Sequence, residues 1–202
     1  MAKSEAGKTA FVAWLAKALS LLRVTMLTIV FLLAGGANAA EGVEITQAHL
    51  ENTDDGIKLS ASFEFELNHG LEDAINRGLP LYFTTEVAIR RPRWYWFDER
   101  AIAASETIRL SYNVLTRQYH AAILGRLQQS FSSLDDALSL IRRPSRWVIA
   151  DKGALKTGEL YSVAVRMQLD VAQLAKPFQV NAINNSDWRL SSDWKTFVYK
   201  AE

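Results

Sequence analysis

The side chains of this chain that could do chemistry are few and scattered. His49, His69 and His120 stand about 20 and 50 residues apart, and none has a second ligand at helical or hairpin spacing. Zinc and related sites need such spacing, so no metal site is expected. There is no cysteine, which excludes disulfides, thiolate catalysis and thiolate-bound zinc or iron–sulfur clusters. No G-x-S-x-G nucleophile elbow and no Gly-rich phosphate loop occurs. Paired carboxylates stand at Asp54-Asp55, Glu72-Asp73, Asp98-Glu99 and Asp135-Asp136. Each sits where a turn or a helix start favours acids for backbone reasons. The reading assigns no catalytic residue, no metal and no cofactor.

The unusual residues are arginines beside aromatics. Arg90-Arg91-Pro92-Arg93-Trp94-Tyr95-Trp96-Phe97 sets three arginines against four consecutive rings. Arg142-Arg143-Pro144-Ser145-Arg146-Trp147 repeats the style. Two readings stand side by side. One is structural: alternate rings in a core, with arginines stacked on the outward rings or placed at a helix C-terminus. The other is recognition, because Arg and Trp are enriched where partners bind most tightly. The candidate interaction residues are Arg90, Arg91, Arg93, Trp94, Trp96, Arg142, Arg143, Arg146 and Trp147. If the two groups converge, six arginines form a basic face for an anionic partner.

These residues belong to a chain whose start reads as a secretory signal peptide. Lys3, Lys8, Lys17 and Arg23 precede the uncharged run Val24 to Ala34, followed by Gly35-Gly36 and the Ala37-Asn38-Ala39 cleavage pattern. The competing form is an uncleaved anchor over Phe11 to Ala34, in which Arg23 inside the span costs about 2.5 to 3.5 kcal/mol. Cleavage after Ala39 leaves 163 residues, residues 40–202, enough for one domain with one core. That part has 19 Lys and Arg against 21 Asp and Glu, a net −2. Such a balance argues against nucleic-acid binding. With the leader removed, no stable membrane span is expected.

The mature part alternates as strands do. Ile57 to Asn68 is unbroken, with Ile57, Leu59, Ala61, Phe63, Phe65 and Leu67 on one side. Val43 to Leu50 is its expected hairpin partner, joined through Asp55-Gly56. Leu81 to Ile89, Ile108 to Val114, Gln118 to Leu124, Arg146 to Ala150, Tyr161 to Leu169 and the tail around Trp188 to Tyr199 complete the set. Helical spacing appears in Leu134, Ala137, Leu138 and Ile141, with Ser132 or Ser133 as cap and Pro144 as stop. Shorter helices are expected over Leu71 to Arg77 and after Asp170 up to Pro177. The fold class is mostly β: an antiparallel β-sandwich of about seven or eight strands with one to three short helices.

Four segments together resemble a known family: R-R-P-R-W-Y-W at Arg90 to Trp96, R-R-P-S-R-W at Arg142 to Trp147, K-P-F-Q-V at Lys176 to Val180 and W-R-L-S-S-D-W at Trp188 to Trp194. With the leader, they are similar to the proteobacterial family catalogued as domain of unknown function 4390, over the whole mature chain. The resemblance implies an exported protein of Gram-negative bacteria, often encoded beside a nitrogen-regulation-type sensor histidine kinase, and it carries over no catalytic residue. The expected role is a periplasmic protein-interaction or accessory module of the cell envelope, with an envelope or membrane protein as partner. The alternative is a carrier enclosing a small apolar ligand among inward rings such as Phe63, Phe65 and Phe83.

Overall fold

In the computed structural model the described residues are 42–92, 99–144 and 147–202. The expected signal segment 1–39 lies outside them, as do Arg93, Trp94, Trp96 and Arg146. Among the described residues nine strands form two antiparallel sheets. The smaller sheet has the order β1-β2-β7, from β1 (Glu44–Thr53), β2 (Gly56–Glu64) and β7 (Trp147–Ala150). The larger has the order β6-β5-β4-β3-β8-β9, from β3 (Leu81–Arg91), β4 (Glu99–Asn113), β5 (Gln118–Ile123), β6 (Gln129–Phe131), β8 (Leu160–Leu169) and β9 (Lys195–Lys200). Three α-helices join them: α1 (His69–Asn76), α2 (Leu134–Arg142) and α3 (Lys176–Asn184).

Alternation decides which side of each sheet is inside. On β3, Leu81, Phe83, Val87 and Ile89 are buried, and on β8 so are Tyr161, Val163, Val165, Met167 and Leu169. On β2 the inward set is Ile57, Leu59, Ala61 and Phe63. Both sets belong to one hydrophobic core, the arrangement of a sandwich whose two inner faces interdigitate. Phe65 and Phe83 meet across it with ring centroids 5.9 Å apart. Polar links reinforce the contact. The register of β1 on β2 slips at Ile45/Gln47, and there Lys195 Nζ of β9 donates to the carbonyls of Ile45 (2.7 Å) and Thr46 (2.9 Å).

Turn and cap chemistry set the element ends. Gly56 closes β1 onto β2 with φ +126°, and a Cβ there would overlap the Ala150 carbonyl oxygen of β7. Ser133 caps α2, its hydroxyl accepting from Asp136 N at 3.1 Å. Three expectations need correction. The helix expected to end at Pro177 instead begins there: Asp170 caps only the 3-10 turn Val171–Gln173, and α3 starts at Lys176 with Pro177 in its first turn, where a missing N–H costs nothing. The tail strand is confined to Lys195–Lys200, after a second 3-10 turn at Ser186–Trp188. Lastly, β4 runs from Glu99, nine residues before the expected start at Ile108.

Candidate functional site

Arg91 and Arg142, one from each Arg-aromatic segment, bond to different partners. Arg91 Nη1 donates to Glu159 Oε2 at 2.8 Å, and this bond holds the Glu159 carboxyl below the ordinary glutamate range. Arg142 is committed elsewhere: Nη1 bonds Asp135 Oδ1, Nε and Nη2 donate to the Phe65 carbonyl at 3.2 and 3.0 Å, and the guanidinium covers the Phe65 ring at 5.5 Å. Phe65 packs on Phe83, and Arg90 is seven residues further along β3. At ~3.3 Å per residue Arg90 lies about 23 Å along β3 from Phe83, the ring on which the Phe65 covered by Arg142 packs. Arg90 and Arg143 are exposed, whereas Trp147 is buried on β7 opposite Leu59 and belongs to the core. The histidines also stay apart: His49 pairs with Glu51, His69 faces Glu72, and His120 bonds Ser130. No group of three His, Asp or Glu that could hold a metal occurs among the described residues.

A concave site lies elsewhere, between α1 and α3. It is an open cleft of about 940 Å³ walled by Ala74, Leu79, Pro80, Phe178 and Trp188, with Gly70, Asp73, Arg77, Gly78 and Asn185 completing the lining. Local sequence builds each wall. Asn68 caps α1, its Oδ1 accepting from Leu71 N at 3.0 Å, while its Nδ2 donates to the Asp187 carbonyl at 2.7 Å and ties the helix to the second 3-10 turn. Gly70 keeps that joint close, because a Cβ would stand 3.2 Å from Asp187 Oδ2. At the other end Gly78 takes φ +87°. Its N–H donates to Ile75 O and that of Leu79 to Ala74 O, a Schellman closure that turns Leu79 and Pro80 into the cleft wall.

The facing wall is the first turn of α3. Gln179 Nε2 donates to the carbonyls of Ala172 and Leu174, both at 2.7 Å, and Ala182 is buried. This fixing leaves Phe178 38% and Val180 62% exposed on one short helix. Trp188 packs partly against the core and floors the cleft. Arg77 and Asp73, 3.9 Å apart and largely exposed, form a polar rim. An apolar trough with one such rim can seat a bulky side chain and orient the groups beside it. The inward rings Phe63, Phe65 and Phe83 are buried within the packed core.

A second group of interest is Glu106, on the core-facing side of β4 opposite Thr85. Its side chain is 9% exposed, with Arg126 Nη2 at 3.5 Å. Burial pushes its carboxyl above the ordinary range, and the Arg126 charge pulls it part of the way back. Arg143, Pro144 and Trp147 line the small space beside it, about 60 Å³.

Neither the cleft nor Glu106 stands out in the sequence. Phe178, Val180 and Trp188 lie in the very segments that carry the family resemblance, so the signal was present without its geometry. The inward position of Glu106 was readable only with Ala104 and Ile102 recognised as strand.

The family model described as Domain of unknown function (DUF4390) covers residues 40–198. No curated protein and no solved structure matches the chain.

Proposed function

The chain belongs to the family described as Domain of unknown function (DUF4390), and from that footing we propose that it is an exported periplasmic module that binds a protein partner of the cell envelope through the α1/α3 cleft. The observation that carries the reading is the cleft wall: Phe178 stands exposed beside Trp188, Leu79 and Pro80 in an open trough. Exposed aromatic anchors next to a pocket are what a docking site for an apolar side chain offers. Export is supported by the leader pattern, and the family match opens at Ala40, one residue after the expected cleavage point. No helix among the described residues is long and apolar enough to cross a membrane. The extracytoplasmic part of a sensor histidine kinase is the partner that the family resemblance suggests.

The test is recovery of a partner from envelope extract by the parent protein and by Phe178→Glu. Phe178 is 38% exposed, so the variant keeps its fold while placing a charge in the trough. An envelope protein retained by the parent and lost by the variant supports the reading; equal recovery by both refutes it. The second reading, a small apolar ligand, moves from the sandwich interior to this cleft, whose volume falls in the range of about 300 to 1,000 Å³ typical of ligand pockets. Native mass spectrometry of the purified protein decides it, since a carrier retains its cargo.

A further inference from the structure

The outward face of the six-stranded sheet combines three features that the cleft does not use. In strand register Ala103, Ala88, Ala164 and Thr196 form one row across β4, β3, β8 and β9, so no long side chain projects there. Ala103, Ser105 and Thr196 are exposed on that face. Next to the row stands Trp194, 45% exposed, its ring 4.7 Å from the Arg166 guanidinium, and Val198 is 72% exposed. The charges are one-sided. Among the described side chains of these strands, Arg90, Arg109, Arg166 and Lys200 point outward against Glu86, and Glu86 is already bonded to Arg166 at 2.8 Å. Three positive charges are in excess. The opposite face of the sandwich has the other sign: Glu44 lies directly opposite Glu64, and Glu51 opposite Lys58.

We infer that this face docks on an anionic lipid surface, with the acidic sheet turned away from it. Spacing favours a plane over a point ligand. Arg109 pairs with Tyr82, eight residues along β3 from Arg90, so the two residues are set about 26 Å apart along the sheet. That is well beyond the ~8 Å Debye length at physiological salt. A small anion would meet one of these cations, whereas a charged bilayer meets all of them together. Trp194 suits the same surface, because tryptophan settles at headgroup depth, and the flush alanine row lets a plane approach.

The experiment is co-sedimentation of the full chain with vesicles rich in phosphatidylglycerol and with vesicles of phosphatidylcholine alone, at low and physiological salt. Segment 1–39 is common to every variant, so differences between variants isolate the face. The parent binds the anionic vesicles more tightly, and Arg90→Gln with Arg109→Gln and Lys200→Gln weakens that binding about 100-fold, at about five-fold per basic residue. Glu44→Gln with Glu64→Gln on the opposite sheet does not weaken it. If the triple variant folds poorly, the three single variants give the same reading at about five-fold each. Equal binding by parent and triple variant, or equal loss in the acid-face variant, overturns the inference. So does polyglutamate binding through these residues without vesicle binding, which assigns the face to an acidic protein, or self-association through them, which assigns it to a second copy.

Discussion

Replacing Glu106 by Gln should stabilise the protein at neutral pH, a sign opposite to the usual result of removing an ion pair. Two effects compete at this position. The pair with Arg126, 3.5 Å away and largely in solvent, belongs to the class worth about 0 to 1 kcal/mol. Against it stands the burial of a carboxylate that is 9% exposed on the inward face of a strand, and the effective penalty for a buried ion is several kcal/mol. The carboxyl is pushed up, not down, so burial exceeds the attraction of Arg126. A folded-state pKa above the unfolded one contributes stability that is full at low pH and lost as pH rises through the folded value. Glu106→Gln keeps the shape and removes the charge. We expect a gain of about 1 kcal/mol at pH 7, a rise of roughly 2 to 4 °C in Tm for a domain of this size. Below about pH 4, where the parent carboxyl is itself protonated, the gain should vanish. Urea unfolding of both proteins across this pH range measures it. A Gln variant less stable than the parent by more than about 1 kcal/mol at pH 7 would show that Arg126, with Arg143 nearby, outweighs burial.

Further expectations follow from single contacts. Lys195→Met removes two charge-assisted bonds to the Ile45 and Thr46 carbonyls; it should cost about 2 kcal/mol, or roughly 4 to 8 °C in Tm, read by circular dichroism. Gly56→Ala should cost at least about 2 kcal/mol, since strain at positive φ adds to overlap with Ala150. Gly125→Ala, at φ +84° with nothing within 4 Å of its Cβ position, should cost only about 1 kcal/mol. In Arg91→Gln the Glu159 carboxyl, held low chiefly by its bond from Arg91, should titrate nearer the ordinary value in a side-chain NMR titration. The Arg91–Glu159 link is therefore present above the ordinary glutamate pKa and lost as pH falls through the depressed one.

The strands with clean alternation were legible because their inward residues are large and apolar. Ile57 to Phe63, Leu81 to Ile89 and Tyr161 to Leu169 all appear in the sandwich with the expected faces. The first half of β4 was not, because Ala101, Ala103, Ala104 and the inward Glu106 carry no period-2 contrast; pairing with β3 along its whole length makes that segment a strand. Helix α2 was legible from Ser133, Asp135, Asp136 and Pro144, which act locally. Helix α3 was not legible, because a proline reads as a stop after the preceding segment, whereas Pro177 stands in the first turn of α3 and serves as a start. The cleft was invisible for a further reason: Asn68 and Asp187 lie 119 residues apart, and only the folded chain brings α1 to the turn that precedes β9. Arg142 shows the same limit: its place in the last turn of α2 was legible, but its bonds to the Phe65 carbonyl, 77 residues away, were not.

The most direct measurement of the cleft's role is photo-crosslinking in living cells from a photoreactive residue placed at Phe178, with Leu115 as control. Leu115 is an exposed apolar residue in the turn after β4, among residues distinct from the cleft lining. The docking account predicts one discrete envelope-protein adduct from position 178 and none from 115, suppressed by excess parent protein and not by excess Phe178→Glu. No adduct from position 178, or the same adducts from both positions, would contradict it.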